Sequence, residues 1–124
     1  MKILIVDDSL IIRKTIINYL KEFENVDIVG TSIDGYTAID IFKTTLPDVV
    51  TLDITLPGID GLEVLDEMMK INPKANIVVI TALKDKMTGL KAIRLGAKGY
   101  IVKPFNLKKF TEVFLPLISS ANDN

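Results

Sequence analysis

The sequence predicts one α/β domain in which five parallel strands form a doubly wound sheet flanked by five helices. Five short apolar runs, centred near Leu4, Ile28, Val50, Val78 and Ile101, recur every 22 to 28 residues. A segment with helical periodicity lies between each pair of runs, and this alternation is typical of β-α-β units. The runs are apolar throughout, as expected for strands that helices cover on both faces.

The first half of the chain is predicted to hold three strands and three helices. The strands cover residues 2–6, 26–30 and a run that begins at residue 49 and stops on Asp53. The helices cover about residues 10–23, 34–46 and 60–71, where apolar side chains recur at helical spacing. Ser9 or Asp8 is suited to cap the first helix, and Pro47 and Pro73 stop the second and third.

The second half is predicted to hold the last two strands and helices. The strands cover residues 75–81 and 99–103, and the helices cover about residues 85–95 and 106–117. Gly96 is a plausible end for the fourth helix, and Pro116 should disturb the final turn of the fifth. We therefore assign residues 1–118 to the domain and residues 119–124 to a fraying polar tail or the start of a linker.

The composition excludes several classes of chemistry. The 124 residues, 48% hydrophobic and 25% charged, fit one globular domain rather than a disordered chain. The absence of cysteine and histidine rules out disulfides, thiolate chemistry, histidine triads and His-based metal sites. No apolar run approaches the roughly 18 residues that span a bilayer, so we expect a cytoplasmic protein with no membrane partner.

Basic residues are concentrated late in the chain. Residues 84–109 carry eight lysines and arginines against one acid, Asp85, whereas the preceding residues carry thirteen acids against seven bases. This segment is either an ordinary solvated helix face or a docking surface for an acidic partner. Because no DNA-binding motif accompanies the charge, we expect no direct nucleic-acid binding by this domain.

Polar side chains follow four of the five predicted strands. Asp7 and Asp8 follow the first, Asp53 the third, Thr81 the fourth and Lys103 the fifth. In open α/β sheets, ligands bind beyond the carboxyl ends of the strands, at the point where the strand order reverses. With a flavodoxin-like strand order of 2-1-3-4-5, the first and third strands are neighbours at that point. The three aspartates are therefore expected within a few ångströms of one another.

Such a cluster needs a cation or a bound proton. At a separation of about 5 Å and an effective dielectric of about 20, each like-charge pair costs roughly 3 kcal/mol. Carboxylates without His or Cys favour Mg²⁺, and Asp53 could attack phosphorus to give an aspartyl phosphate. Lys103 and Thr81 would then contact phosphoryl oxygens. The alternatives are structural: Asp8 and Asp53 as cap or turn residues, Thr81 as a strand end and Lys103 as a surface lysine.

Four segments carry a resemblance to a known family. Their residues are VDDS at 6–9, LDITLPGIDG at 52–61, ITA at 80–82 and YIVKPF at 100–105. In order and spacing they resemble the signature blocks of response-regulator receiver domains, the CheY-like family of two-component signal transduction. The resemblance covers essentially the whole chain, and it implies the same five-stranded fold.

The resemblance also implies roles for individual residues. Asp53 would accept a phosphoryl group from a histidine kinase or phosphotransfer protein. Asp7, Asp8, Asp53 and the backbone carbonyl of Thr55 would hold Mg²⁺, and Lys103 would assist. On this basis the protein catalyses only its own phosphorylation and dephosphorylation and is not an enzyme in the turnover sense.

The resemblance further implies a conformational switch. Thr81 would move towards the phosphoryl group, and Tyr100 would turn inward into the space it leaves. The surface of the fourth helix, fifth strand and fifth helix would change and control a downstream protein target. The Lys103–Pro104 bond would be cis. Because Leu83 offers no polar group to position an attacking water, we expect slow self-dephosphorylation.

Several alternatives stay open on the sequence. The chain could be a stand-alone chemotaxis-type regulator or the receiver portion of a longer transcriptional or output regulator. A haloacid-dehalogenase-like phosphatase also uses a strand-end aspartate, but it needs a second aspartate where this chain has Thr55. A pseudo-receiver would keep the fold as an interaction module without accepting phosphate.

Overall fold

The computed structural model describes residues 1–122, with side chains to residue 118, and it confirms the predicted sheet. Five parallel strands lie in the order β2-β1-β3-β4-β5. The strands are β1 Lys2–Val6, β2 Asp27–Ser32, β3 Val49–Leu52, β4 Asn76–Thr81 and β5 Gly99–Val102. The helices are α1 Leu10–Leu20, α2 Gly35–Thr45, α3 Gly61–Ile71, α4 Lys86–Arg94 and α5 Leu107–Asn122.

The sheet divides the core into two apolar layers, because successive strand side chains point to opposite faces. Leu4 and Val50 pack with α2, α3 and α4 on one face. Ile5 and Val78 pack with α1 and α5 on the other, where Phe110 is fully buried. Both layers leave the carboxyl edge of the sheet free for polar residues.

Side-chain caps fix where the helices begin. The N-cap residues of α1, α2, α3 and α4 are Ser9, Asp34, Asp60 and Asp85. Each accepts a hydrogen bond from a first-turn amide that has no partner within its helix, at 2.8 to 3.3 Å. Of the two residues suited to cap the first helix, Ser9 fills the role, and Asp8 stays free for other contacts.

Helix α1 and strand β2 each differ from their predicted bounds by at least two residues. Helix α1 ends at Leu20 rather than near residue 23, because the amides of Lys21, Glu22 and Phe23 bond three residues back and tighten the last turn. Strand β2 continues two residues past Gly30 to Ser32, because its last two residues pair with the end of β1. The sequence pattern did not predict this pairing, because Thr31 and Ser32 are polar and do not extend the apolar run.

Helix α5 continues through Pro116 to Asn122, past its predicted end at Leu117. The helix persists because Phe110, Phe114 and Ile118, spaced four residues apart, are buried against the sheet, while Pro116 lies on the exposed side. The predicted tail therefore begins inside this helix, at residues 119–122, and its last two residues lie outside the described part of the chain. No helix within residues 1–122 is long and apolar enough to cross a membrane.

Thr51, at the centre of β3, provides a test of the packing. Its hydroxyl oxygen is buried and has no hydrogen-bond partner among the described residues. We expect Thr51→Val to raise the free energy of unfolding by about 1 kcal/mol, because it removes the desolvation cost of an unpaired hydroxyl. Chemical denaturation measures the change. Thr31→Val, at an exposed position of β2, is the control. A loss of stability in Thr51→Val would contradict the expectation.

Candidate functional site

The predicted aspartate cluster exists at the carboxyl edge of the sheet. Asp7 directly follows β1 and Asp53 directly follows β3, and the Asp53 amide donates to the carbonyl of Val6 at 2.9 Å. Asp7 and Asp53 are buried, whereas Asp8 is exposed. Each of the three offers a carboxylate oxygen within 4.8 Å of the others. The topology therefore brings these acids together as the strand order required.

Lys103 joins the two buried acids. Its Nζ lies 2.8 Å from Oδ2 of Asp7 and 3.0 Å from Oδ2 of Asp53. Burial by itself lowers the pKa of Lys103, but the hydrogen bonds to both carboxylates outweigh it, so the pKa stands above the ordinary 10.5. The ammonium stays charged and bridges β1 to β3. The Lys103–Pro104 bond that follows is cis, as predicted.

The other oxygen of Asp53 is occupied by Thr55. Oδ1 of Asp53 accepts the Thr55 amide at 2.9 Å and the Thr55 hydroxyl at 2.7 Å. Sequence reasoning expected only a backbone carbonyl from Thr55, and that role stays a prediction. The hydroxyl contact was missed because it depends on the turn after β3. Both carboxylate oxygens of Asp53 thus have a donor, so the orientation of the carboxylate is fixed.

Asp7 is held at its carboxylate and at its backbone. Oδ1 accepts the Ser9 amide at 2.9 Å, and the backbone carbonyl accepts Nη1 of Arg13 at 2.7 Å. Burial raises the pKa of Asp7 above its ordinary 3.8, although the Lys103 and Ser9 hydrogen bonds oppose the rise. Arg13 was not among the predicted site residues. The sequence feature that could have pointed to Arg13 is a cationic side chain one turn after Ser9, the cap of α1.

Thr81 and Tyr100 share a different partner, the backbone of Leu83. The buried Thr81 hydroxyl accepts the Leu83 amide at 3.3 Å, and the Tyr100 hydroxyl donates to the Leu83 carbonyl at 2.9 Å. Burial raises the pKa of Tyr100 above its ordinary 10.0. The Thr81 carbonyl accepts the Lys103 amide at 2.8 Å, which connects this group to the acid cluster. The Thr81 hydroxyl therefore contacts the loop after β4 and not Asp53.

The acid cluster suits a small, hard cation. Its three carboxylates supply oxygen donors alone, which is the donor set that Mg²⁺ prefers. Asp8 is exposed and gives the cluster access to solvent. The single positive charge of Lys103 does not neutralise the three carboxylates, so the cluster keeps a net negative charge. The cluster therefore fits a divalent cation held by Asp7, Asp8 and Asp53.

The basic residues of segment 84–109 lie on or beside α4, β5 and the first turn of α5. We name the surface of these three elements the basic face. Lys86, Lys91 and Lys108 are exposed on it. Large apolar side chains of α4 lie exposed beside them: Met87, Leu90 and Ile93. A depression of about 310 Å³ on this face is lined by Lys86, Gly89, Leu90, Ile93 and Tyr100. Tyr100 thus connects the loop after β4 to the outer surface.

Known proteins match this chain over most of its length. It is 40% identical over 111 residues to protein CcdB of Bacillus subtilis, covering 90% of this chain and 92% of that protein. It is 35% identical to the chemotaxis protein CheY of Thermotoga maritima, with the same coverage. It is 36% identical to a protein-glutamate methylesterase/protein-glutamine glutaminase of Halalkalibacterium halodurans, but spans only 36% of that protein.

Solved structures agree with the sequence relatives. The structure of a CheX-CheY-BeF3-Mg²⁺ complex from Borrelia burgdorferi superimposes with a TM-score of 0.89 at 32% identity, over 95% of this chain and 89% of that one. The response regulator domain of Thermotoga maritima CheB gives a TM-score of 0.85 at 26% identity, over 100% and 98%. The family model described as response regulator receiver domain matches residues 3–114. The chain therefore belongs to the receiver-domain family of two-component response regulators.

Proposed function

We propose that the chain is a phosphorylation-activated switch in which Asp53 accepts a phosphoryl group from a histidine kinase or phosphotransfer protein. The observation that carries the proposal is the buried Asp53 carboxylate, held 3.0 Å from the Lys103 ammonium and beside two further acids. Three clustered carboxylates against one ammonium carry an excess of like charge, which is costly unless the group reacts or binds a ligand. The relatives named chemotaxis protein CheY support a signalling role.

The proposed chemistry at Asp53 is the transfer of a phosphoryl group from the donor to a carboxylate oxygen. A carboxylate oxygen of Asp53 attacks phosphorus, the bond from phosphorus to the donor breaks, and an acyl phosphate forms. The donor leaves with the electron pair of the broken bond. Lys103 would bind a phosphoryl oxygen, because its ammonium already contacts Oδ2 of Asp53. The chain would catalyse only its own phosphorylation and dephosphorylation.

Asp7, Asp8 and Asp53 are the residues that would hold Mg²⁺. When bound, the ion would offset the charge of the acids and of the incoming phosphoryl oxygens. Lys103 pairs with only two of the three carboxylates, so a like-charge excess favours cation binding. The Thr55 carbonyl is proposed as a further ligand.

The switch would run through Leu83. The Thr81 hydroxyl and the Tyr100 hydroxyl both bond the backbone of this residue, so a move of Thr81 towards the phosphoryl group would free the Leu83 amide and disturb the Tyr100 contact. Tyr100 lines the depression on the basic face. A change at Asp53 would thereby reach the surface where a downstream protein binds.

An acidic target protein is the proposed partner of the basic face. This face carries exposed lysines together with exposed apolar side chains, a combination that suits an apolar contact with charged residues at its margin. We expect a Lys91→Glu, Lys108→Glu double variant to bind the target more weakly than wild type, most clearly at low salt. Titration calorimetry with the phosphorylated protein measures this. Equal affinity would exclude the face as the docking site.

Magnesium binding has a thermal signature. In wild type, Mg²⁺ is expected to raise the melting temperature relative to a chelator at equal ionic strength, since a ligand of the native state at 100 times its Kd adds about 2.7 kcal/mol. In Asp8→Asn, most of this Mg²⁺-induced rise in melting temperature should be lost. Without metal, the variant should melt at a higher temperature than wild type, because one of the clustered negative charges has been removed. Calorimetric or fluorescence melting measures both. Asp40→Asn, at an exposed position of α2, is the control. A gain in Asp8→Asn equal to that of wild type would contradict the assignment.

The function itself is tested with acetyl phosphate, a small-molecule phosphodonor. Wild-type protein is incubated with it in the presence of Mg²⁺ or of a chelator, and the intact mass is measured. We expect a gain of one phosphoryl group that requires Mg²⁺. Absence of any gain in a folded protein that binds Mg²⁺ would contradict the acceptor role and would support a pseudo-receiver.

A further inference from the structure

Arg13 reaches the acid cluster from the first turn of α1. Its Nη1 donates to the backbone carbonyl of Asp7 at 2.7 Å, and the group is partly buried. Helical side chains lean towards the helix N-terminus, so a long side chain one turn after the Ser9 cap can reach back over the loop that precedes the helix. The loop it contacts carries Asp7 and Asp8.

The bond fixes the peptide plane that connects the two acids. The carbonyl of Asp7 lies in one rigid plane with the amide and Cα of Asp8, so holding that oxygen holds both residues. The Asp7 amide is anchored separately to the carbonyl of Ser32 at 3.0 Å, and its Oδ1 to the amide of Ser9 at 2.9 Å. Asp8 has no comparable tether of its own in the described structure and is exposed.

We propose that Arg13 is a positioning residue for metal binding, which rests on the proposed function: it sets the direction of Asp8 and Asp7 towards Asp53 through the Asp7 carbonyl. The residue does not touch the carboxylate oxygens that would hold the ion. Groups in this outer position commonly change metal affinity by about 10- to 100-fold when they are removed.

Charge alone predicts the opposite result. Arg13 is a cation near a cation site, so its removal should strengthen Mg²⁺ binding if only Coulomb repulsion mattered. If the hydrogen bond orients the acids, its removal should weaken Mg²⁺ binding instead. The sign of the change therefore separates the two roles.

The test is calorimetric titration of Mg²⁺ into wild type, Arg13→Met, Arg13→Lys and Lys14→Met. Arg13→Met is expected to bind Mg²⁺ about 10- to 100-fold more weakly, and Arg13→Lys to recover part of the loss because its ammonium can still donate. Lys14→Met removes the adjacent exposed cation and should bind like wild type or slightly tighter. Phosphoryl uptake by Arg13→Met should need more Mg²⁺ for half-maximal rate but reach a similar rate at saturation.

Unchanged or tighter Mg²⁺ binding by folded Arg13→Met would overturn the proposal while leaving the acceptor role of Asp53 intact. If wild type bound no Mg²⁺, the metal site and this inference would fall together. Should Arg13→Met not fold, side-chain NMR of the wild-type protein gives the answer. During a Mg²⁺ titration, the Arg13 guanidinium signals should shift, and the Mg²⁺ concentration at half of this shift should equal that for the Asp8 amide signal. Arg13 signals that do not move would overturn the proposal.

Discussion

Asp53→Asn is expected to abolish Mg²⁺-dependent phosphoryl uptake from acetyl phosphate. The side-chain amide keeps the size of Asp53 but lacks the carboxylate charge and nucleophilicity that attack on phosphorus needs. Folding should survive, because Lys103 keeps its 2.8 Å contact with Asp7 and one of the clustered acids becomes neutral. Uptake is followed by intact mass, and folding by circular dichroism.

Two comparisons make this result specific. Asp40→Asn changes an exposed acid on α2 by the same chemistry and should take up phosphoryl like wild type. Asp8→Asn should be phosphorylated slowly and should respond weakly to Mg²⁺, because it retains the nucleophile but lacks one carboxylate of the cluster. Wild-type uptake by Asp53→Asn would mean that another residue is the acceptor.

Gly61→Ala is expected to destabilise the fold by about 3 kcal/mol or more, the upper range for overpacking. Gly61 opens α3 against the backbone of Ile54, and a Cβ there would overlap the Ile54 Cα and lie 2.5 Å from its carbonyl oxygen. The backbone cannot yield as a flexible side chain would. Because Ile54 follows Asp53 directly, the same displacement should weaken Mg²⁺ binding.

Gly89→Ala supplies the matched control for this substitution. Gly89 lies within α4, and an added Cβ would meet only the Tyr100 ring at 4.0 Å, which is ordinary contact. Alanine is the better helix former by about 1 kcal/mol, so this variant should be more stable than wild type. Denaturant unfolding of both variants measures the contrast. A Gly61→Ala protein as stable as wild type would show that the turn after β3 can move away.

The fold was predictable because the sequence features that specify it, the apolar runs and the helical periodicity, are local. Apolar runs gave the strands, and the strand order placed Asp7, Asp8 and Asp53 at one sheet edge. Lys103 could be placed there for the same reason, since it follows β5 at the same carboxyl edge of the sheet.

The sequence did not reveal contacts that depend on loop geometry and side-chain reach. Arg13 touches the Asp7 carbonyl across a helix turn, and the Thr55 hydroxyl reaches Asp53 only because of the turn after β3. The length of α5 was underestimated for a related reason. Pro116 is a strong local signal, but the buried face of Phe110, Phe114 and Ile118 overrides it.

The central claim is that Asp53 itself carries the phosphoryl group. Borohydride reduction of the phosphorylated protein converts an aspartyl phosphate to homoserine, and fragment masses then identify the residue. We expect homoserine at position 53 only when Mg²⁺ and acetyl phosphate are both present. Homoserine at position 7 or 8 instead, or a phosphoryl group that survives reduction on a serine or threonine, would contradict the account.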